Sequence, residues 1–137
     1  MRVIDRDQTE ELLQWSPLVE ALRAMFRNGC EMPVRHHHDM AVPGEQDATM
    51  LLMPAWERAG YIGVKMVSVF PQNAEHGLPA IAGVYFLSEG AHGRPLACLE
   101  GSELTRRRTA AASALAAREL AREDAQSLLV VGTGTSP

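Results

Sequence analysis

Between Met32 and Leu99 the chain strings together short β-prone runs separated by glycine-bearing turns, and this stretch limits the fold more than any other part of the sequence. Predicted strands lie near Val34–Met40, Thr49–Trp56, Tyr61–Phe70, Ala80–Ser88 and Pro95–Glu100, with Gly44, Gly60, Gly77, Gly90 and Gly93 between or beside them. In Gly63-Val-Lys-Met-Val-Ser-Val-Phe70 successive side chains alternate between two faces. Strands in a row without helices between them indicate an antiparallel or mixed sheet. Met1 to Ile4 suits a short edge strand, and Asp7 or Thr9 can cap a helical turn reaching Leu13. A stronger helix follows, with Ser16 as cap, Pro17 at its first position and Gly29 at its end. Its apolar face is Leu18, Val19, Leu22, Met25 and Phe26, spaced three and four residues apart. After Gly101 an alanine-rich segment predicts a long helix, capped by Ser102 and running to about Arg122. The expected class is therefore α+β: a mixed or antiparallel sheet with flanking helices.

At 137 residues, 46% of them apolar, the chain can bury one core. Its net charge of -4 argues against a nucleic-acid binder, and Arg106-Arg107-Arg108 adds too little positive charge to change that. Arg106 and Arg107 read as solvated or interdomain charges. No apolar run approaches the roughly 18 residues of a membrane span, and the N-terminus lacks the apolar stretch of a secretory signal. Cys30 and Cys98 have neither metal-type nor redox-type spacing, so both are expected as reduced thiols in a cytoplasmic protein. His36-His37-His38-Asp39 invites a metal reading. Consecutive residues on a strand alternate faces, however, so three adjacent histidines do not readily converge on one ion, and no metal site is expected. His76 and His92 fall in turns and are expected to be exposed.

The segment Gln126–Val131 reads as a buried strand, and Gly132-Thr-Gly134 follows at once. Glycines after a strand let backbone amides approach a pyrophosphate at the next helix's start. A Gly-x-Gly is also an ordinary glycine turn, and by itself the motif leaves both readings open. A strand needs neighbours, so a lone strand here favours a truncated or split chain. Two units are expected: residues 1–124 as one domain, and residues 125–137 as the opening strand and glycine turn of an incomplete dinucleotide-binding domain.

Several segments together resemble the ornithine cyclodeaminase/mu-crystallin family. They are Gly63-Val-Lys65-Met-Val-Ser-Val-Phe-Pro71-Gln-Asn73 with Gly77-Leu-Pro79; Gly93-Arg-Pro-Leu-Ala-Cys-Leu-Glu-Gly101; Leu104-Thr105 with Arg108-Thr109-Ala-Ala-Ala-Ser113; and Val130-Val-Gly132-Thr-Gly134. The resemblance implies a substrate-binding and dimerisation domain joined to a Rossmann domain that takes NAD or NADP, in a homodimer. The implied chemistry is that of an amino-acid dehydrogenase, a ketimine reductase or a cyclodeaminase acting on a small amino or imino acid. The alternative is a non-catalytic dimerisation or binding fragment of a split gene. The family's acid/base aspartate belongs to the Rossmann domain, so the 137 residues alone are expected to give no turnover.

The resemblance also assigns residues. Arg35 would bind the substrate carboxylate, as a guanidinium fork can. Lys65 would face the substrate, as a fixed positive charge or as a proton carrier if burial lowers its pKa. Arg108, near the start of the alanine-rich helix, would meet both substrate and cofactor phosphate. Gly132, Gly134, Thr135 and Ser136 would meet the pyrophosphate. Ala80 stands where some relatives carry a cofactor-binding threonine. Leu51 stands where ornithine cyclodeaminases tend to have a glutamate, which argues for a substrate without a second ammonium group.

Overall fold

Alternation decides the middle of the chain. In the computed structural model, which describes residues 1–132, the predicted runs form β2 (His36–Met40), β3 (Ala48–Trp56), β4 (Tyr61–Val69), β5 (Ile81–Glu89) and β6 (Pro95–Glu100), after a short β1 (Arg2–Ile4). They join one six-stranded sheet in the order β1-β6-β5-β4-β3-β2. β1 runs parallel to β6 and all other neighbours are antiparallel, so the sheet is mixed. β3, β4 and β5 are its long centre, with Met53 opposite Lys65 and Lys65 opposite Tyr85. A 3₁₀ segment, Pro71–His76, links β4 to β5 and ends at Gly77, whose φ of 70° lies in the left-handed region.

Helix α1 (Arg6–Leu12) starts earlier than the sequence suggests. Its cap is Asp5, whose carboxylate accepts from the Gln8 amide while the Gln8 side chain returns to the Asp5 amide. Thr9 is instead buried, and its hydroxyl donates to the Asp5 carbonyl. Helix α2 (Trp15–Asn28) also begins before its predicted cap, so Ser16 and Pro17 fall inside the first turn. Proline is tolerated there because the first amides have no intrahelical acceptor. Gly29 ends α2 with φ 75°, as expected. Helix α3 (Gly101–Leu120) is capped by Glu100 rather than Ser102.

The helices pack on one another, α3 against β5 and β6 and α1 against β6. Val19, Ala111 and Leu115 are the buried centre between α2 and α3, with Leu18 and Leu22 against them. Burying a side chain such as Leu115 contributes about 1.5–3 kcal/mol. The alanines let α3 approach closely, and Gly101 lets it start directly on the sheet. A Cβ at Gly101 would stand 2.5 Å from the carbonyl of Gly83.

Two expectations change here. Arg107 is not solvated: it is 5% exposed, stacks 4.6 Å over the Trp15 ring and donates to Glu10, Glu103 and the Leu13 carbonyl. Arg106 pairs with Glu103 at 2.6 Å. Residues 126–131 form no ladder with the sheet, and Leu128, Leu129, Val130 and Val131 are exposed. Among the described residues they have no strand to pair with.

Candidate anion-binding site

Cross-strand register places the key cation. Lys65 sits mid-strand in β4 and points to the face that carries the helices, where its ammonium donates to the Thr105 hydroxyl at 3.2 Å. Thr105 is in place because Gly101 seats the first turn of α3 on Gly83, one strand away. Thr105 does not cap the helix: the amides of Ser102 and Glu103 already donate to the Glu100 carboxylate, at 2.8 and 2.7 Å. Burial raises the pKa of the Glu100 carboxyl, but the two amides outweigh it and hold the group below its ordinary value. Two amides of the helix N-terminus are therefore taken by Glu100. Arg108 is the eighth residue of α3.

The remaining cations reach Lys65 by field rather than by contact. Burial lowers the pKa of its ammonium, and the positive charges of Arg108 and Arg35 lower it further. Register explains why Arg35 is near. His36 pairs with Leu52, and one step back sets Arg35 beside Met53, the direct neighbour of Lys65. Strands lie about 4.8 Å apart, so the Arg35 backbone is roughly 10 Å from that of Lys65, on the same face. Arg35 precedes β2 and Arg108 projects from α3, and both are exposed.

Lys65, Val67, Gly83, Thr105 and Thr109 line a hollow of about 660 Å³, with Arg6, Arg106, Glu100 and Glu103 at its helical end. Neither Arg35 nor Arg108 belongs to that wall. A second hollow of about 400 Å³, between α2 and α3, is lined by Phe26, Ala112 and Leu115 and holds none of these cations. Along the sheet, the cross-strand neighbours of Lys65 are apolar or aromatic and lie outside the wall of the larger hollow. Met53 and Tyr85 are its direct neighbours, and Leu51 lies one row further on, opposite Val67. Burial pushes the Tyr85 phenol up, so it stays neutral at physiological pH. Its ring leans over Gly63, where a Cβ would collide with the hydroxyl.

Thr105, Tyr85, Glu103 and Arg107 were not singled out as site or support residues by the sequence. Thr105 had a signal, since it lies three residues before Arg108 on one helical face. Gly132 is exposed with φ 137°, and nothing lies within 4 Å of where a Cβ would sit. Gly134, Thr135 and Ser136 lie outside the described residues. His76 and His92 are exposed in their turns, as expected, and pair with Glu45 and Glu89. Cys30 and Cys98 are unbridged. No described helix is long and apolar enough to cross a membrane.

Comparison with known proteins adds three kinds of finding. The family model described as ornithine cyclodeaminase/mu-crystallin matches residues 2–137. An uncharacterized protein of Schizosaccharomyces pombe is 42% identical over 134 residues, covering 96% of this chain and 41% of that one. Among solved structures, the Thermococcus litoralis Delta(1)-pyrroline-2-carboxylate reductase in complex with NADH and L-proline is similar, with a TM-score of 0.75 and 30% identity. That match covers 90% of this chain and 39% of that one. An archaeal alanine dehydrogenase dimer with bound NAD has a TM-score of 0.77 and 27% identity, over 90% of this chain and 38% of its own. The chain spans about two fifths of the length of the curated relatives it matches.

Proposed function

Because the chain belongs to the ornithine cyclodeaminase/mu-crystallin family, we propose that it supplies the substrate-binding and dimerisation part of an NAD(P)-dependent enzyme acting on a small amino or imino acid. The observation that carries this reading is Lys65, half-buried against Thr105 and within the fields of Arg35 and Arg108. Three cations held near one another on one face cost stability by mutual repulsion, and an anionic ligand relieves that cost. A carboxylate suits it, since Arg35 can present two parallel N–H groups. Lys65 then holds the carboxylate or donates a proton toward the substrate nitrogen, its lowered pKa easing that transfer. Leu51 and Met53 lie next to Lys65 on the same sheet face and make its surroundings apolar on that side. This favours a substrate without a distal ammonium, such as a cyclic imino acid, over ornithine.

The nicotinamide cofactor, when bound, accepts or supplies the hydride at the carbon bearing the nitrogen. Gly132 fits a place on its path, since positive φ and open space around its Cα leave the backbone accessible to a phosphate. Residues 125–137 are proposed as the opening of that domain, with Gly134, Thr135 and Ser136 continuing the phosphate contact and Arg108 facing it from α3. The opposite face of the sheet, with Leu52, Val64, Met66, Val84 and the 41%-exposed Phe86, carries no described helix and is proposed as the dimer surface.

Thermal denaturation of the chain in L-proline and in pyrrolidine, which lacks the carboxylate, tests the site. L-proline should raise Tm, pyrrolidine should not, and Arg35→Ala or Lys65→Met should remove the shift. Equal effects of the two compounds would refute the carboxylate reading. With NADPH and cyclic imines the chain alone should give no turnover.

A further inference from the structure

Two threonines one helical turn apart line the larger hollow from α3, and their hydroxyls are used differently. Thr109 donates to the Thr105 carbonyl at 2.7 Å, the common bond of a threonine hydroxyl inside a helix. Thr105 makes no such bond. Its oxygen accepts from the Lys65 ammonium at 3.2 Å, and among the described residues its own hydrogen has no acceptor. The two carboxylates of the same hollow are committed elsewhere. Glu100 accepts from the amides of Ser102 and Glu103, and Glu103 accepts from Arg106 and Arg107. An ammonium carries three donors and a hydroxyl one. Only one of these four N–H and O–H groups, the N–H on Thr105, is bonded among the described residues. The rest are available to an acceptor that enters the hollow.

We propose that Thr105 is a further binding residue of the anion-binding site: its hydroxyl holds the Lys65 ammonium in place and donates to an oxygen of the carboxylate that Lys65 binds. The inference rests on the carboxylate reading above and deepens it. Charge-assisted bonds to a carboxylate run about 2.7–2.9 Å from nitrogen and 2.5–2.7 Å from a hydroxyl oxygen. Donors 3.2 Å apart can therefore both reach one carboxylate oxygen. Lysine carries its charge on a flexible four-carbon stem, so an acceptor that fixes the head also removes freedom that binding would otherwise have to remove. Arg35 and Arg108 lie outside the wall of this hollow and act on Lys65 through their charge, which leaves Thr105 as its one contact partner among the described residues.

Lys65 is the only lysine of the sequence, so lysine labelled with carbon-13 at Cε gives one NMR resonance that reports both its protonation and its ligand. The full chain is titrated with L-proline, and with pyrrolidine as the carboxylate-free control. L-proline should move the wild-type resonance to saturation and pyrrolidine should not. Thr105→Val keeps the branched shape and loses the hydroxyl, and it should weaken L-proline binding roughly tenfold, the effect of one charge-assisted hydrogen bond. Thr105→Ala, a second hydroxyl-free variant favoured by helix propensity, should match it, and Thr105→Ser should restore most of the affinity. Without ligand, the resonance should titrate at lower pH in Thr105→Val than in the wild type, because the ammonium has lost an acceptor. A purely structural role of Thr105 would leave that titration where it is. Unchanged affinity and titration in Thr105→Val, beside a responding wild type, would overturn this inference and leave the carboxylate reading standing. A wild-type resonance indifferent to L-proline would overturn both.

Discussion

Replacing Glu103 by glutamine tests how the cationic face is held in place. Glu103 is 2% exposed and accepts from Arg106 at 2.9 and 2.6 Å and from Arg107 at 2.9 Å, while Arg107 is itself 5% exposed. Glutamine keeps the shape and one acceptor but removes the charge that balances a buried guanidinium. Breaking a buried pair from one side costs about 3–5 kcal/mol. The retained acceptor, and Glu10 on the far side of Arg107 at 2.6 Å, place this case near about 3 kcal/mol. For a chain of this size that is a fall in Tm of roughly 10 °C. Urea and thermal denaturation followed by far-UV circular dichroism measure it, and an Arg107→Met cycle should show coupling well above 0.5 kcal/mol. The acid limb adds a second readout. Hydrogen bonds from Arg106, then Arg107, hold the Glu103 carboxyl below its ordinary range against the effect of burial. Its contribution is therefore complete above the unfolded value, about 4.3, and is lost as pH falls through the folded value. Glu103→Gln should flatten that loss. A destabilisation below about 1 kcal/mol, the range of an exposed ion pair, would refute the reasoning.

Lys65→Met should stabilise the chain at neutral pH, at the expense of carboxylate binding. The folded-state pKa of Lys65 lies below the unfolded one, so wild-type stability should rise as pH climbs from the folded value toward about 10.4, and the variant should lack that rise. Gly101→Ala puts a methyl group 2.5 Å from the Gly83 backbone and should cost about 1–3 kcal/mol by denaturant titration, with loss of the proline-induced Tm shift as α3 lifts. Asp5→Ala removes the α1 cap and should cost about 1 kcal/mol without touching ligand binding.

The sheet was legible because alternation and glycine punctuation are local signals, and β2 to β6 lie within two residues of their predicted positions. Helix starts were less so. Asp5 and Glu100 cap α1 and α3 from positions just before Asp7 and Ser102, and nothing local distinguishes neighbouring polar residues as caps. Arg107 was misread because a run of three arginines looks solvated; its burial depends on Trp15 and Glu10, almost a hundred residues away. A separation of 40 residues likewise hid the Lys65–Thr105 bond. The segment 126–131 has strand composition, but composition supplies no hydrogen-bonding neighbour.

The hairpin joining β2 to β3 acts as a ruler for the chemistry. Its turn, closed by the Glu45 amide on the Val42 carbonyl, sets which residue faces Leu52, and through that which side of the sheet receives the Arg35 guanidinium. A single-residue insertion between His36 and Met40 that slips the ladder would carry the guanidinium to the far side and His36 to the near one. A two-residue insertion would restore the side but displace the charge by about 7 Å along the strand. Variation in length should therefore be confined to the tip of this hairpin, where added residues bulge outward and leave the count along β2 intact.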